Sequence, residues 1–238
     1  MKKQKSKDNI FSFKYFLYDF VKFTGVIPMA LWLRPKVYYV GNKKEIKKIK
    51  SMLIMSNHTG LLDAITIHFA FIWRRLWILT LDSLFKKKFQ KWFFTRLNCI
   101  EVNRENMNIA SYNNMVSYLK KDKAVCIFPE GKIEEEKDQL QQFKLGIPFI
   151  AIMNKTPIVP VYIKRRKNFW HREKIIVGNP INLHEYCSPI PTMPEIENAG
   201  KILYEKEQEL KQYFEEKYGS KKWIWLKKTL KFLENSQI

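Results

Sequence analysis

Cysteine and histidine are scarce in this chain of 238 residues, which contains 3 cysteines and 4 histidines. The cysteines form no C-x-x-C pair. Cys99 and Cys126 lie inside apolar runs, whereas Cys187 lies outside them. An odd number of unpaired cysteines predicts reduced thiols in a cytosolic protein rather than a disulfide framework. The histidines are not grouped with cysteines or acids at the spacing of zinc ligands, so no metal site is predicted.

Two further absences concern hydrolases and membrane spans. The chain has no G-x-S-x-G pattern, which an α/β-hydrolase would need to present its nucleophile. It also lacks an uninterrupted apolar segment of the ~20 residues that a spanning helix requires, because Lys14, Asp19 and Lys22 interrupt the aromatic-rich stretch 10–33. Neither a spanning helix nor a signal peptide is therefore predicted.

The stretch 10–33 is instead predicted to form a pair of short helices, because Gly25 and Pro28 divide it. The first helix carries large apolar side chains near one face and has basic flanks, which is typical of a helix lying in a membrane interface. The alternative is a terminal helix that packs on its own domain. We expect a membrane-associating segment at residues 1–35, followed by one catalytic domain at 36–238.

Acidic residues are also scarce, since 43 Lys and Arg face 23 Asp and Glu and leave a net charge of +20. Such an excess indicates an anionic partner, which can be nucleic acid, an anionic membrane surface or an acidic acyl carrier protein. A solvated lysine-rich surface is the plain alternative.

The pattern of apolar runs predicts an α/β fold. With 46% hydrophobic residues, the chain can bury the core of one such domain. Strands and helices alternate, which is typical of a mostly parallel central sheet flanked by helices. The predicted segments are 37–40, 52–56, 61–73, 76–81, 83–94, 98–102, 106–120, 124–128, 139–154, 158–163, 174–177 and 195–217, followed by a basic amphipathic helix at 221–235.

The segment 52–73 reads as strand, sharp turn and helix, with His58 in the turn and Asp63 in the first turn of the helix. If Thr59 or Gly60 were the N-cap, the carboxylate of Asp63 would reach back to the imidazole. A carboxylate on one ring nitrogen leaves the other nitrogen ready to take a proton from a hydroxyl. The alternative is a first-turn acid that only complements the helix dipole.

Three further loops follow predicted strands. Arg104 at a strand end can clamp a phosphate with its planar fork, and Gly131 after Phe128 and Pro129 lets backbone N–H groups approach a ligand. In 155–162 the prolines suit the beginning of a strand or an edge strand. Each loop also has a purely structural interpretation.

Taken together these residues resemble the glycerolipid acyltransferases, the 1-acyl-sn-glycerol-3-phosphate acyltransferase group. Asn57-His58-x-x-x-x-Asp63 resembles the N-H-x-x-x-x-D signature of that family, and the other blocks follow in the family's order. They are Glu101-Val102-Asn103-Arg104, Phe128-Pro129-Glu130-Gly131 and Ile158-Val159-Pro160-Val161.

The resemblance implies that a fatty acyl group is transferred from acyl carrier protein or coenzyme A to the hydroxyl of a lysophospholipid in phospholipid biosynthesis. It assigns the general base to His58 and its orientation to Asp63. It also implies head-group binding by Arg104, Glu130 and Gly131.

One departure from the family concerns the acceptor. The family continues its third block with Thr-Arg, where this chain has Lys132-Ile133. Lys132 or Lys144 is expected to supply the missing charge, although lysine lacks the bidentate fork. Lysophosphatidate is the expected acceptor, and a different lyso-lipid is the alternative.

The resemblance implies no cofactor beyond the thioester substrate, an anionic membrane surface as partner and no nucleic acid. It places the protein on the cytoplasmic face of a membrane as a peripheral or monotopic protein. Two other classes stay open. A nucleic-acid-binding protein would use the basic clusters at 86–88 and 164–167, and a catalytically silent relative would only bind membranes.

Overall fold

The computed structural model describes residues 15–60, 62–102, 109–129, 145–166, 168 and 170–218. Across these residues the strands are β1 (Lys36–Tyr39), β2 (Met52–Ser56), β3 (Leu76–Leu81), β4 (Cys99–Val102), β5 (Ala124–Ile127), β6 (Ile158–Lys164) and β7 (Lys174–Val177). The helices are α1 (Phe16–Leu33), α2 (Lys43–Lys48), α3 (Asp63–Ala70), α4 (Lys88–Arg96), α5 (Ile109–Leu119), α6 (Gly146–Met153) and α7 (Met193–Tyr218).

All described strands join one sheet in the order β1-β7-β6-β2-β5-β3-β4. Its neighbouring strands are parallel except for β6 and β7. The predicted α/β fold with a mostly parallel sheet is therefore confirmed. The strands β6, β2, β5, β3 and β4 point the same way, so their carboxyl ends meet at one edge, where ligands bind in such sheets.

Strand β2 lies near the centre of the sheet, and all its residues are buried. Its side chains alternate between the two faces because successive residues of a strand point to opposite sides. Leu53 and Met55 join a core beneath α5, α6 and α7, whereas Met52 and Ile54 join a core beneath α2 and α3. The turn that follows β2 thus begins from a rigid position between two cores.

Helix α1 corrects the prediction of two short helices, because it continues through Gly25 and Pro28 to Leu33. A proline inside a helix removes one backbone hydrogen bond, and contacts near both ends of α1 hold it on the domain. Near the start of α1, the carboxylate of Asp19 accepts two hydrogen bonds from the guanidinium of Arg75, at 2.9 Å and 2.6 Å. At the end of α1, the carbonyl oxygen of Leu33 accepts the N–H of Glu173.

The segment predicted as one helix at 83–94 is also different. A short 3₁₀ turn at Asp82–Phe85 precedes α4, and Lys87 is extended between them. Phe85 is buried and its ring meets Phe94, so the turn is fixed by packing that the lysine-rich sequence does not reveal.

The position of Pro160 corrects a third expectation, since β6 lies between β7 and β2 rather than at an edge. β7 pairs with β6 only from Val161 onward, so Pro160 needs no N–H for that ladder. Its carbonyl oxygen still accepts from the N–H of Gly178, at 2.8 Å. Pro157 directly precedes β6, as predicted.

The outer helix predicted at 195–217 is present as α7. Its buried residues recur at helical spacing, from Ile196 to Phe214, and the opposite face is charged. The basic helix predicted at 221–235 lies outside the described residues, as do the beginnings of the helices predicted at 106–120 and 139–154. Cys126 is buried, and Cys99 and Cys187 are partly buried free thiols.

Candidate active site

The turn between β2 and α3 brings His58 and Asp63 together. Their side chains are joined by a hydrogen bond of 2.9 Å between Nδ1 and Oδ2. Asp63 is 1% exposed, while the His58 side chain is 22% exposed. A buried carboxylate therefore faces an imidazole that substrate can reach, as the sequence predicts.

Asp63 is held by three further hydrogen bonds from the turn. Its Oδ2 accepts the N–H groups of Thr59, at 2.5 Å, and of Gly60, at 2.7 Å, and its Oδ1 accepts the Thr59 hydroxyl at 2.9 Å. Three hydrogen bonds to one carboxylate fix its orientation. The N-cap of α3 is Leu62, so the prediction of Thr59 or Gly60 at that position is wrong. Both residues instead donate to the carboxylate from within the turn.

The hydrogen bonds of Asp63 decide which nitrogen of His58 carries the proton. An ionised carboxylate only accepts, so Nδ1 must be the donor and Nε2 holds the lone pair. No residue of the described ranges makes a hydrogen bond to Nε2. Nε2 is thus the atom that can receive a proton from a substrate hydroxyl.

Phe128 packs on His58, although the sequence offered no reason to pair them. The two rings stack with centroids 4.5 Å apart and an interplanar angle of 26°. Phe128 follows β5, which is a neighbour of β2 in the sheet. Stacking fixes the plane of the imidazole, whereas Asp63 fixes its rotation.

Asn57 is a second residue whose role was missed. It is 1% exposed, and its amide pairs with both backbone groups of Ile163: Nδ2 donates to the carbonyl oxygen at 3.1 Å and Oδ1 accepts the N–H at 2.7 Å. The side chain thus continues the ladder between β2 and β6 beyond the last residue of β2. The fourth block, 158–161, lies in β6 directly before this contact and pairs with β2 from Leu53 to Ser56.

Two other titratable groups lie around α3. Glu173 is buried, and burial together with the charge of Asp63 raises its pKa, against Arg165 and Arg166. Burial lowers the pKa of His68 to about 4, and its nitrogens bind the Ala64 carbonyl oxygen and the Tyr18 hydroxyl. His68 is therefore neutral at pH 7 and both of its nitrogens are engaged.

Five predicted site residues lie outside the described residues, namely Arg104, Glu130, Gly131, Lys132 and Lys144. Their assignment to the acceptor head group stays a prediction. Among the residues that are described, no group of three or more His, Cys, Asp and Glu is arranged to hold a metal ion.

Comparisons with known proteins place the chain in a family. A protein family described as acyltransferase matches residues 37–164. The 1-acyl-sn-glycerol-3-phosphate acyltransferase of Bacillus subtilis (strain 168) is 26% identical over 180 residues, which cover 74% of this chain and 87% of that protein. The protein of that name from Borreliella burgdorferi is 25% identical over 174 residues, 72% of this chain and 68% of that protein.

The fold has a counterpart among solved structures. The crystal structure of the 1-acyl-sn-glycerophosphate (LPA) acyltransferase PlsC from Thermotoga maritima superposes with a TM-score of 0.58. The match covers 83% of this chain and 81% of that chain, at 19% sequence identity. At that identity the likeness concerns the fold, and it agrees with the sheet and helices described above.

Proposed function

Because this chain belongs to the acyltransferase family, we propose that it transfers a fatty acyl group from a thioester to the free hydroxyl of a lysophospholipid. The proposed acceptor is 1-acyl-glycerol-3-phosphate, which gives phosphatidic acid. The proposed donor is the acyl thioester of acyl carrier protein or of coenzyme A. The names of the relatives from Bacillus and Borreliella support this acceptor. The observation that carries the chemistry is His58, with its proton on Nδ1 toward Asp63 and its Nε2 lone pair available.

The reaction follows from this arrangement. Nε2 of His58 takes the hydroxyl proton as the acceptor oxygen attacks the thioester carbonyl, and a tetrahedral intermediate forms. The carbon–sulfur bond then breaks, and the imidazolium returns the proton to the departing thiolate. Asp63 holds the ring in place and balances its positive charge between the two steps. General base catalysis contributes about 10²–10⁴-fold in rate.

The proposal includes no cofactor, because the acyl group already arrives activated as a thioester. Arg104, Glu130 and Gly131 are proposed to bind the acceptor head group, with Lys132 or Lys144 in place of the family's arginine. A different lyso-lipid as acceptor is the alternative, and the Lys132-Ile133 departure is the feature that favours it.

We also propose that α1 places the enzyme at a membrane. By length and composition, α1 is the one described helix that could cross a bilayer. Only 11% of it is buried within the domain. Exposed apolar side chains recur at helical spacing along it, namely Phe16, Phe20, Phe23, Ile27 and Leu31. The opposite face is tied to the domain by Tyr18, Asp19 and Lys22 near one end and Leu33 at the other.

These contacts favour a helix that lies in the interface. A crossing helix docked in this way would draw Arg75 and the sheet into hydrocarbon, where charged groups are costly. An interfacial helix instead buries only its apolar stripe, and anionic head groups attract the basic surface. The cytoplasmic face is the proposed side, since the thioester donors are made there.

The function is tested by following transfer of a labelled acyl group from acyl carrier protein and from acyl coenzyme A to a panel of lyso-lipids. Wild type is compared with His58→Ala, and the exposed His171→Ala is the matched control. Transfer to lysophosphatidate that is lost only in the His58 variant supports the proposal. Transfer to another acceptor alone replaces the head group, and transfer to none of the panel refutes the proposed reaction.

Membrane binding is tested by sedimentation with vesicles of phosphatidylcholine and phosphatidylglycerol at low salt. The double variant Phe20→Ser and Phe23→Ser should reduce the bound fraction severalfold, because the apolar stripe provides the affinity. Ile190→Ser, which changes an even more exposed apolar residue outside α1, is the control. Equal binding of all three proteins would contradict the role of α1.

A further inference from the structure

Arg165 follows directly after β6 and contacts the turn after β2. Phe128, which follows β5, contacts the same turn from the other side of β2. Strand β2 lies between β6 and β5, so the turn after β2 has a neighbour on each side. On one side Phe128 stacks on His58. On the other side Nη1 of Arg165 donates to the carbonyl oxygen of Thr59 at 2.8 Å.

The guanidinium also packs closely against Gly60. A Cβ built on Gly60 would lie 2.2 Å from Nη2, 2.7 Å from Cζ and 2.9 Å from Nη1 of Arg165. These three atoms of the planar group therefore cover the space that a side chain would need. Gly60 does not have a left-handed backbone conformation, so close approach by Arg165, rather than backbone strain, is what favours glycine here.

Thr59 and Gly60, which Arg165 contacts, also donate their N–H groups to Oδ2 of Asp63. That oxygen accepts Nδ1–H of His58. A single series of contacts thus runs from Arg165 through the turn to the carboxylate and the imidazole. Any shift of the turn must move the donors that orient Asp63.

The charge of Arg165 also suits its surroundings. Asp63 and the buried Glu173 lie close enough for the carboxylate of Asp63 to raise the pKa of Glu173, and the positive charges of Arg165 and Arg166 oppose that shift. A cation at the end of β6 therefore favours the charged form of Glu173, which lies near the carboxylate of Asp63. Arg166 uses its guanidinium differently, since it donates to the carbonyl oxygen of Trp32 in α1.

We propose that Arg165 is a positioning residue for acyl transfer, which holds the Thr59–Gly60 turn so that Asp63 and His58 keep their catalytic orientation. The proposal rests on the proposed function of His58 as general base. It gives one member of the basic run 164–167 a specific task. Charge alone would assign that run to nucleic acid or to a membrane surface.

The kinetic test uses Arg165→Ala and Arg165→Lys, with Arg172→Ala as a control that removes an exposed charge from the same loop. Arg165→Ala should lower kcat by about 10–100-fold, because small displacements of catalytic groups cost up to that factor. KM for the acceptor should stay within about twofold, since Arg165 acts through the turn. Arg165→Lys should recover part of kcat, because lysine can still donate to Thr59 but lacks the planar group.

A second variant approaches the same contact from the other side. In Gly60→Ala the new methyl group displaces the guanidinium, which ends a flexible exposed side chain and can move aside. We expect a loss of kcat similar to that of Arg165→Ala. The double variant should lose no more than either single variant, because both remove one contact. Independent, multiplying losses would refute the proposal.

A spectroscopic test does not depend on activity. The hydrogen-bonded Nδ1–H proton of His58 can be assigned by NMR as the signal that His58→Ala abolishes. Arg165→Ala should shift or broaden this signal, and Arg172→Ala should leave it in place. An unchanged signal with unchanged kcat overturns the proposal, as does a raised KM at unchanged kcat, which would mark Arg165 as a head-group ligand. If wild type transferred no acyl group, the proposed function would fail, and this signal alone would decide the role of Arg165.

Discussion

His58 and His68 are two histidines of one strand–turn–helix unit, and they have opposite uses. In each, Nδ1 is the donor: His58 donates to the carboxylate of Asp63 at 2.9 Å, and His68 donates to the carbonyl oxygen of Ala64 at 2.6 Å. They differ at Nε2. In His68 this atom accepts the Tyr18 hydroxyl at 3.0 Å, whereas in the described residues nothing occupies it in His58.

The difference shows what a histidine needs to act as a base. Both rings have the same tautomer, so the tautomer does not distinguish them. In His58, Nδ1 contacts the carboxylate of Asp63 and Nε2 is open. The ring can therefore accept a proton at Nε2, and Asp63 balances the resulting charge. His68 has a neutral partner, and burial lowers its pKa to about 4, so it resists protonation and instead ties α1 to α3.

The largest expected effects come from replacing each of the two histidines in turn. His58→Gln should lower kcat by at least 10²-fold and reduce the free energy of unfolding by only about 0.5–1.5 kcal/mol, because the variant loses the stacking on Phe128 while its amide can still donate to Asp63. His68→Gln should keep kcat within about twofold and destabilise the fold by about 1–3 kcal/mol. Kinetics and urea unfolding of both variants check the pair. A loss of activity in the folded His68 variant would remove the distinction.

Asp63→Asn should cost nearly as much activity as His58→Gln. The amide oxygen would take the place of Oδ2, because the N–H groups of Thr59 and Gly60 donate to that position. A neutral amide, however, cannot balance the positive charge that His58 gains when it accepts the proton. We expect kcat to fall by about 10²-fold or more with KM little changed. The control Asp19→Asn alters a carboxylate that binds Arg75. Wild-type kcat in Asp63→Asn would show that the charge of the carboxylate is not needed by the base.

His68 should also make the stability depend on pH. In the unfolded chain its pKa is near 6.5, and in the folded protein it is about 4. As the pH falls, the unfolded state therefore binds a proton before the folded state does. The contribution of neutral His68 to the free energy of unfolding is complete above pH 6.5 and is lost as the pH falls toward 4. The contribution is at most about 3 kcal/mol.

Urea unfolding from pH 7 to pH 4.5 measures this loss. His68→Gln should show a shallower decline than wild type over that range, whatever its stability at pH 7. His171→Gln, which removes an exposed histidine, is the control. Parallel curves for wild type and the His68 variant would contradict the assignment.

The smallest effect is expected at Phe128. Replacing it with leucine removes the stacking on His58, which is worth about 0.5–1.5 kcal/mol for an aromatic pair. We expect kcat to fall by about two- to tenfold, because Asp63 still holds the ring. Phe89→Leu changes an exposed ring and is the control. No change in kcat would mean that Asp63 alone fixes the imidazole.

The sequence was sufficient for the alternation of elements and for the pair of His58 and Asp63. Buried strands such as β2 and β5 are continuous apolar runs, and the spacing of the motif puts a carboxylate one turn from an imidazole. Both are local features, so periodicity and capping rules reach them. The local rules failed where packing prevailed, as in α1, where contacts at both ends hold a helix through Gly25 and Pro28.

The supports of the site could not be read from the chain. Asn57 pairs with Ile163, Phe128 stacks on His58 and Arg165 holds Thr59, and each pair is distant in sequence. They meet because β6 and β5 are the neighbours of β2 in the sheet.

By itself, then, the sequence determined the α/β class and the pairing of His58 with Asp63, because these depend on short-range patterns, and its resemblance to a family supplied the acyl-transfer chemistry that we propose for the pair. The tertiary structure alone decided which side chains hold those residues in place and which histidine is sequestered. Strand order is a property of the whole fold, and no local segment specifies which strand will lie beside it.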